Sequence, residues 1–157
     1  MIQRDVKGDG AISEGTVDSE NSMTSAEKYS QWESQRVMAT PAQLADLYFE
    51  AVGLVINAFV DNERQSRIYA ESVFRLLDPR VCHSPFQLFQ VITRFVLSLT
   101  RAPGLPTGMD RQQALCLLFR EVVRLDYADI AEITQLSRDD VAAAIAQARA
   151  LLSEAAK

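Results

Sequence analysis

The residues best suited to catalysis or metal binding in this chain are few and scattered. The 157-residue sequence contains one histidine, His83, and two cysteines, Cys82 and Cys116. Cys82 and His83 are adjacent, but a tetrahedral zinc site needs more ligands than this pair supplies. One histidine without a partnered nucleophile does not make a hydrolase site, and the sequence has no Gly-rich phosphate-binding loop. We therefore expect no metal, no cofactor and no enzymatic activity.

The residue types that read nucleic acid occur near the C-terminus. Arginine and glutamine side chains hydrogen-bond to base edges and phosphates, and Arg138, Gln147 and Arg149 lie in one predicted helix. The other outward positions of that helix carry an acid or a methyl group: Asp139, Ala142, Ala143 and Ala146. Alanine offers no hydrogen bond to a base, and a carboxylate repels phosphate. The spacing therefore predicts a helix placed to enter a DNA groove that lacks the usual positive charge.

The elements that position these residues are all predicted to be α-helices, with Thr40, Asp110 and Ser137 as N-caps. Asp61-Asn62 is predicted to end the first helix and cap the second, and Ser84-Pro85 to open the third. The first helix has an apolar stripe, predicted to be buried, at Leu44, Leu47, Tyr48, Ala51, Leu54, Val55, Ala58 and Phe59. The second is predicted to bury Ile68, Tyr69, Val73, Phe74 and Leu77, and the last to bury Val141, Ile145, Ala148 and Leu152. Cys116 is expected in the core and His83 at the surface near a helix start.

Composition and charge limit the remaining choices. The net charge of −5 does not suit a protein whose affinity comes mainly from phosphate contacts, so it favours a protein partner. Residues 1–39 are polar and without apolar periodicity, which predicts a flexible tail. No signal peptide or long uninterrupted apolar run is evident, so we expect a cytoplasmic protein without membrane contact. The predicted fold is all-α: two small three-helix units, at 40–101 and 110–157, joined by a Pro/Gly linker at 102–109.

Three segments of the C-terminal unit resemble region 4 of extracytoplasmic-function sigma factors: Arg120-Glu121-Val122, residues 125–133 (Leu-Asp-Tyr-Ala-Asp-Ile-Ala-Glu-Ile), and the helix from Val141 to Leu152. Residues 44–101 resemble region 2 of the same family more faintly, through 70–74 (Ala-Glu-Ser-Val-Phe) and the Ser84-Pro85-Phe86-x-Leu88 helix start. In that family region 2 holds the RNA polymerase core and reads the −10 element, and region 4 reads the −35 element in a helix-turn-helix. The resemblance implies DNA contacts from Arg138, Ala142, Ala143, Ala146, Gln147 and Arg149, and partner contacts from Arg67, Glu71, Phe74 and Arg75.

Two functions follow from this resemblance and from the acidic and alanine-rich outer positions of the last helix, which differ from those of the family. One is a sigma-like regulator of transcription initiation that binds RNA polymerase core and, weakly, promoter DNA. The other is a sigma mimic, a protein-interaction module that sequesters an anti-sigma factor without binding DNA. The short linker and the alanine-rich outer face favour the mimic, whereas the lack of an attached sensor domain counts against it. A helical domain that uses the motif only to fold is a third alternative.

Overall fold

The computed structural model describes residues 37–157, and the predicted tail up to residue 36 lies outside this range. Six helices make up the described part of the chain: α1 (Pro41–Val60), α2 (Glu63–Arg75), α3 (Pro85–Ser98), α4 (Arg111–Glu121), α5 (Tyr127–Thr134) and α6 (Arg138–Ala155). Within residues 37–157 there is no strand, and the one isolated β-bridge joins Ala39 to His83. The all-α prediction is therefore confirmed.

Polar caps fix where the helices begin. Thr40, Ser84 and Asp110 each accept a hydrogen bond from the backbone N–H three residues later, and the glutamine at that position bonds back to the cap backbone, which makes three capping boxes. Asn62 and Ser137 cap α2 and α6 in the simpler, one-sided way. The N-caps predicted at Thr40, Asp110 and Ser137, and the helix starts predicted at Asp61-Asn62 and Ser84-Pro85, are confirmed. Because a cap depends only on neighbouring residues, the sequence alone is enough to locate it.

The buried face of α1 differs from the prediction. Its fully buried residues are Leu44, Val52, Val55, Ile56 and Phe59, whereas Leu47 and Leu54 are exposed. The helix is apolar on nearly every side, so periodicity alone cannot select the face that packs. Two other residues predicted to be buried, Ile68 and Leu152, are also exposed.

The six helices pack around one hydrophobic core. Within the first half α1 packs mainly on α2, within the second half α6 packs on α4 and α5, and α3 contacts both α4 and α5. At the junction, the rings of Phe89 and Phe119 lie with their centroids 5.8 Å apart. Both side chains are fully buried, so the contact between the halves is part of the core and not a surface touch.

The linker is held against the end of α1. Gly104 donates its N–H to the carbonyl oxygen of Phe59 at 2.8 Å, which satisfies one of the carbonyls left open at the helix end. A Cβ at Gly104 would stand 2.4 Å from the carbonyl oxygen of Ala58, so only glycine fits this close approach. The linker therefore fixes the start of α4 relative to α1.

Candidate nucleic-acid interface

Helices α5 and α6 are joined by a turn of three residues, Gln135 to Ser137, in which one residue is left-handed. Gln135 has φ 65° and ψ 33°, and its N–H bonds to the carbonyl oxygen of Ala131 at the end of α5. Leu136 also bonds back to Ala131, at 3.1 Å, and Ser137 then caps α6. This short, tightly bonded turn has the length expected for a helix-turn-helix motif.

A second left-handed residue forms the corner between α4 and α5. Arg124 has φ 71°, a conformation that normally favours glycine. Below it, Arg120 donates to the carbonyl oxygen of Leu125 at 3.1 Å, and its guanidinium lies 5.3 Å from the ring centre of Tyr127. The corner is thus held by Arg120 although Arg124 is strained.

The outer surface of α6 is open to solvent and carries little positive charge. Ala143, Ala146, Gln147 and Arg149 are exposed, as the outward positions were predicted to be, while Ala142 is half-buried. Asp139 and Asp140 occupy the first turn next to Arg138. The N-terminal residues of a recognition helix are the ones that contact base edges, so two carboxylates lie where DNA would approach.

Two of the proposed DNA-contacting side chains are already bonded to α4. The amide Nε2 of Gln113 donates to Oε1 of Gln147 at 2.7 Å, and the guanidinium of Arg149 lies 2.8 Å from the Glu121 carboxylate. Gln147 needs both its amide oxygen and its amide nitrogen to pair with adenine, so the bond to Gln113 competes with base recognition. Glu121 likewise neutralises one of the two arginines of α6.

A buried acid lies at the base of the motif. Asp129, in the first turn of α5, is only 5% exposed, and its backbone N–H bonds to the side chain of Asp126, the N-cap of α5. Burial, and then the negative charge of Asp126 nearby, raise the pKa of the Asp129 carboxyl to about 7. Neither acid was predicted as a site residue, although an aspartate three residues before another one at a helix start is a recognisable capping signal.

The predicted partner-binding residues all lie on α2, along one side of the helix at i, i+4, i+7 and i+8 spacing. Arg67, Glu71 and Arg75 are exposed, and Glu71 and Arg75 form an i, i+4 ion pair at 3.5 Å. Phe74 is half-buried and its ring packs on Phe49 of α1, with the ring centres 5.9 Å apart. Phe74 therefore contributes mainly to the packing of α2 on α1.

The remaining candidate residues are the two cysteines and the histidine. Cys116 is fully buried, as predicted, and Cys82 is exposed. His83 is half-buried, with its Nε2 3.2 Å from the carbonyl oxygen of Asp78. Across residues 37–157, no group of three or more His, Cys, Asp or Glu side chains is arranged to hold a metal ion.

Within the same residues one helix, α1, is long and apolar enough to cross a membrane, a property that core helices of soluble proteins share.

Comparison of the chain with family models, curated proteins and solved structures found no match. The sigma-like interpretation therefore depends on the residues and contacts described above.

Proposed function

We propose that this protein regulates transcription initiation as a sigma mimic, in which a region 2-like and a region 4-like three-helix unit together bind an anti-sigma factor. The observation that carries the proposal is the outer face of α6. This face is exposed like that of a DNA-reading helix, yet it presents alanines and acids. A surface of small apolar side chains suits packing against another protein better than it suits phosphate contact.

The packing between the two halves supports the same function. The −10 and −35 elements are about 25 base pairs apart, as their names state, or about 85 Å at 3.4 Å per base pair. A compact chain of about 120 residues has a radius of gyration of only about 14 Å. With Phe89 and Phe119 in one core and Gly104 bonded to α1, the two units are held too close together to reach both elements.

One observation favours weak promoter binding as a second function, that of a sigma-like factor which also holds RNA polymerase core. The outer face of α6 is not covered by the first half of the chain, so Arg138 is accessible, and Gln147 and Arg149 become available once they leave Gln113 and Glu121. A helix exposed in this way can still approach a major groove when the salt concentration is low.

A gel-shift experiment with promoter duplex distinguishes the two functions. We expect the wild-type chain to give no sequence-specific shift at about 0.05 M salt, and the double variant Ala143→Lys/Ala146→Arg to gain salt-sensitive affinity, because each new phosphate contact releases about one counterion. Both positions are exposed, so the fold should tolerate them. Ser153→Lys, which adds a charge at the far end of α6, is the control.

Sequence-specific retention by the wild-type chain that weakens steeply as salt rises would contradict the mimic and support the sigma-like factor. Binding assays with purified RNA polymerase core and with a purified anti-sigma factor test the protein side directly. The mimic predicts affinity for the anti-sigma factor and none for the core enzyme.

A further inference from the structure

Helix α1 leaves an apolar face uncovered. Leu47 is 71% exposed and Leu54 is 56% exposed, and because they are seven residues apart they lie on the same side of the helix. The fully buried residues of α1 occupy another side, so the core makes no use of this face. Two large aliphatic side chains kept in solvent two turns apart are the pattern by which a helix surface receives a partner.

A groove runs beside this face, between α1 and α2; we name it the α1–α2 groove. It has a volume of about 480 Å³, and its walls are formed by Phe49, Glu50, Gly53, Leu54, Asn57, Glu63, Ser66 and Arg67. Its two uncharged polar residues, Ser66 and Asn57, bond to each other at 2.9 Å, so they do not need a polar ligand. Its three charged residues are two acids, Glu50 and Glu63, and one base, Arg67, so acidic charge is in excess along its walls. The part of the groove between Phe49, Gly53 and Leu54 therefore suits an apolar side chain, and its acidic walls suit a basic one.

Gly53 opens this groove to close approach. A glycine inside a helix costs about 1 kcal/mol relative to alanine, and a Cβ at Gly53 would meet no atom within 4 Å. Nothing in the packing of residues 37–157 therefore requires glycine at this position. The missing side chain leaves space beside Leu54 in which the backbone of a second helix fits.

The charge of α1 selects the kind of partner. Its only charged residues are Asp46 and Glu50, both acidic and exposed, and neither forms an ion pair within residues 37–157. Glu50 lies between Leu47 and Leu54 at i+3 and i+7 spacing, so the exposed apolar face carries a carboxylate at its centre. An acidic apolar face is complementary to an apolar helix flanked by lysine or arginine.

We propose that the α1–α2 groove binds a basic amphipathic helix of a partner protein, with leucine-like side chains packed on Leu47 and Leu54 and a lysine or arginine paired with Glu50. This inference goes beyond the proposed function, because the chemistry of the groove is independent of whether the partner belongs to transcription. The same carboxylates disfavour the two other occupants of such a face. An anionic membrane surface repels them, and a symmetric pairing of two copies would bring Glu50 against Glu50.

The test uses the full chain and a synthetic probe. A fluorescein-labelled helix of about 18 residues, with leucine on one face and lysine on its flanks, is titrated at about 0.15 M salt and followed by fluorescence anisotropy. A twin peptide has glutamate in place of lysine. We expect the lysine peptide to bind at least about tenfold more tightly than its twin, and Glu50→Lys or Leu54→Asp to weaken it by about tenfold or more.

Asp139→Lys is the matched control, since it makes the same change of charge at an exposed acid on α6. It should change the affinity by less than about twofold. Circular dichroism verifies that each variant is folded, as expected for exposed positions.

Equal binding of the two peptides, or an equal loss with Asp139→Lys, would overturn the proposal, because attraction would then be unspecific. Leu54-dependent sedimentation with phosphatidylglycerol vesicles, or Leu54-dependent dimers in analytical ultracentrifugation, would assign the face to a membrane or to a second copy instead. The assay contains no DNA, polymerase or anti-sigma factor, so its failure leaves the mimic untouched, and the converse also holds.

Discussion

Gly104 gives the most direct test of the closed arrangement of the two halves. An alanine there would place its Cβ 2.4 Å from the carbonyl oxygen of Ala58 and 3.2 Å from the carbonyl carbon of Phe59. Both contacts are with backbone, which cannot move aside as a flexible side chain would. The linker must therefore shift, and the 2.8 Å bond from the Gly104 N–H to Phe59 is lost or lengthened.

The expected cost can be worked out from these contacts. Overpacking costs about 1–3 kcal/mol, and a lost hydrogen bond adds about 1 kcal/mol, so Gly104→Ala should lower the free energy of unfolding by about 2–4 kcal/mol. Gly53→Ala is the matched control, because its Cβ meets nothing within 4 Å and the helix gains about 0.5–1 kcal/mol. The two glycine-to-alanine substitutions should therefore change the free energy of unfolding in opposite directions.

Equilibrium urea unfolding, followed by circular dichroism, measures both variants. Gly104→Ala should have a lower midpoint than the wild type and Gly53→Ala a slightly higher one. If Gly104→Ala were as stable as the wild type, the linker would not be held against α1. The two units would then not be fixed close together.

Three further substitutions test the helix-turn-helix region by urea unfolding. The pKa of Asp129 is raised to about 7, so the folded chain holds a proton that the unfolded chain has released. The stability that this proton contributes should be fully present below about pH 4 and be lost as the pH rises to about 7. Asp129→Asn should remove this dependence of stability on pH. If the stability of the variant still declined over the same pH range, another group would be responsible. Arg124→Gly should raise the free energy of unfolding by up to about 1 kcal/mol by relieving the left-handed strain, and a loss of stability would mean that the Arg124 side chain contributes more than its backbone costs. Ser137→Ala should lower it by about 1 kcal/mol because the Asp140 N–H loses its acceptor, whereas an unchanged midpoint would show that water replaces the cap.

Local features of the fold could be predicted from the sequence, and features that join distant residues could not. The N-caps Thr40 and Ser84 depend on a hydroxyl and a backbone N–H three residues away, so short-range chemistry is sufficient. The buried side of α1 depends on which helices pack against it, and the prediction was wrong at Leu47 and Leu54. The contact between Phe89 and Phe119 is of the same kind, because no local pattern pairs the two rings.

The candidate interface shows the same division. The exposure of Ala143 and Ala146 was predicted correctly, because helical periodicity fixes which residues share a face once Val141 and Ile145 are buried. The bonds that occupy Gln147 and Arg149 were not foreseen. Their partners, Gln113 and Glu121, lie 34 and 28 residues earlier in the chain, and only the packing of α6 on α4 brings them together.

The different surroundings of the two cysteines provide a built-in chemical reporter. Cys82 is exposed, whereas Cys116 is buried within the core, where burial raises its pKa to about 11. A maleimide or a disulfide reagent should therefore modify the native protein at one thiol, and at the second only when the interior opens. The rate at which Cys116 is modified therefore measures how often the hydrophobic core opens, and no substitution in the chain is needed.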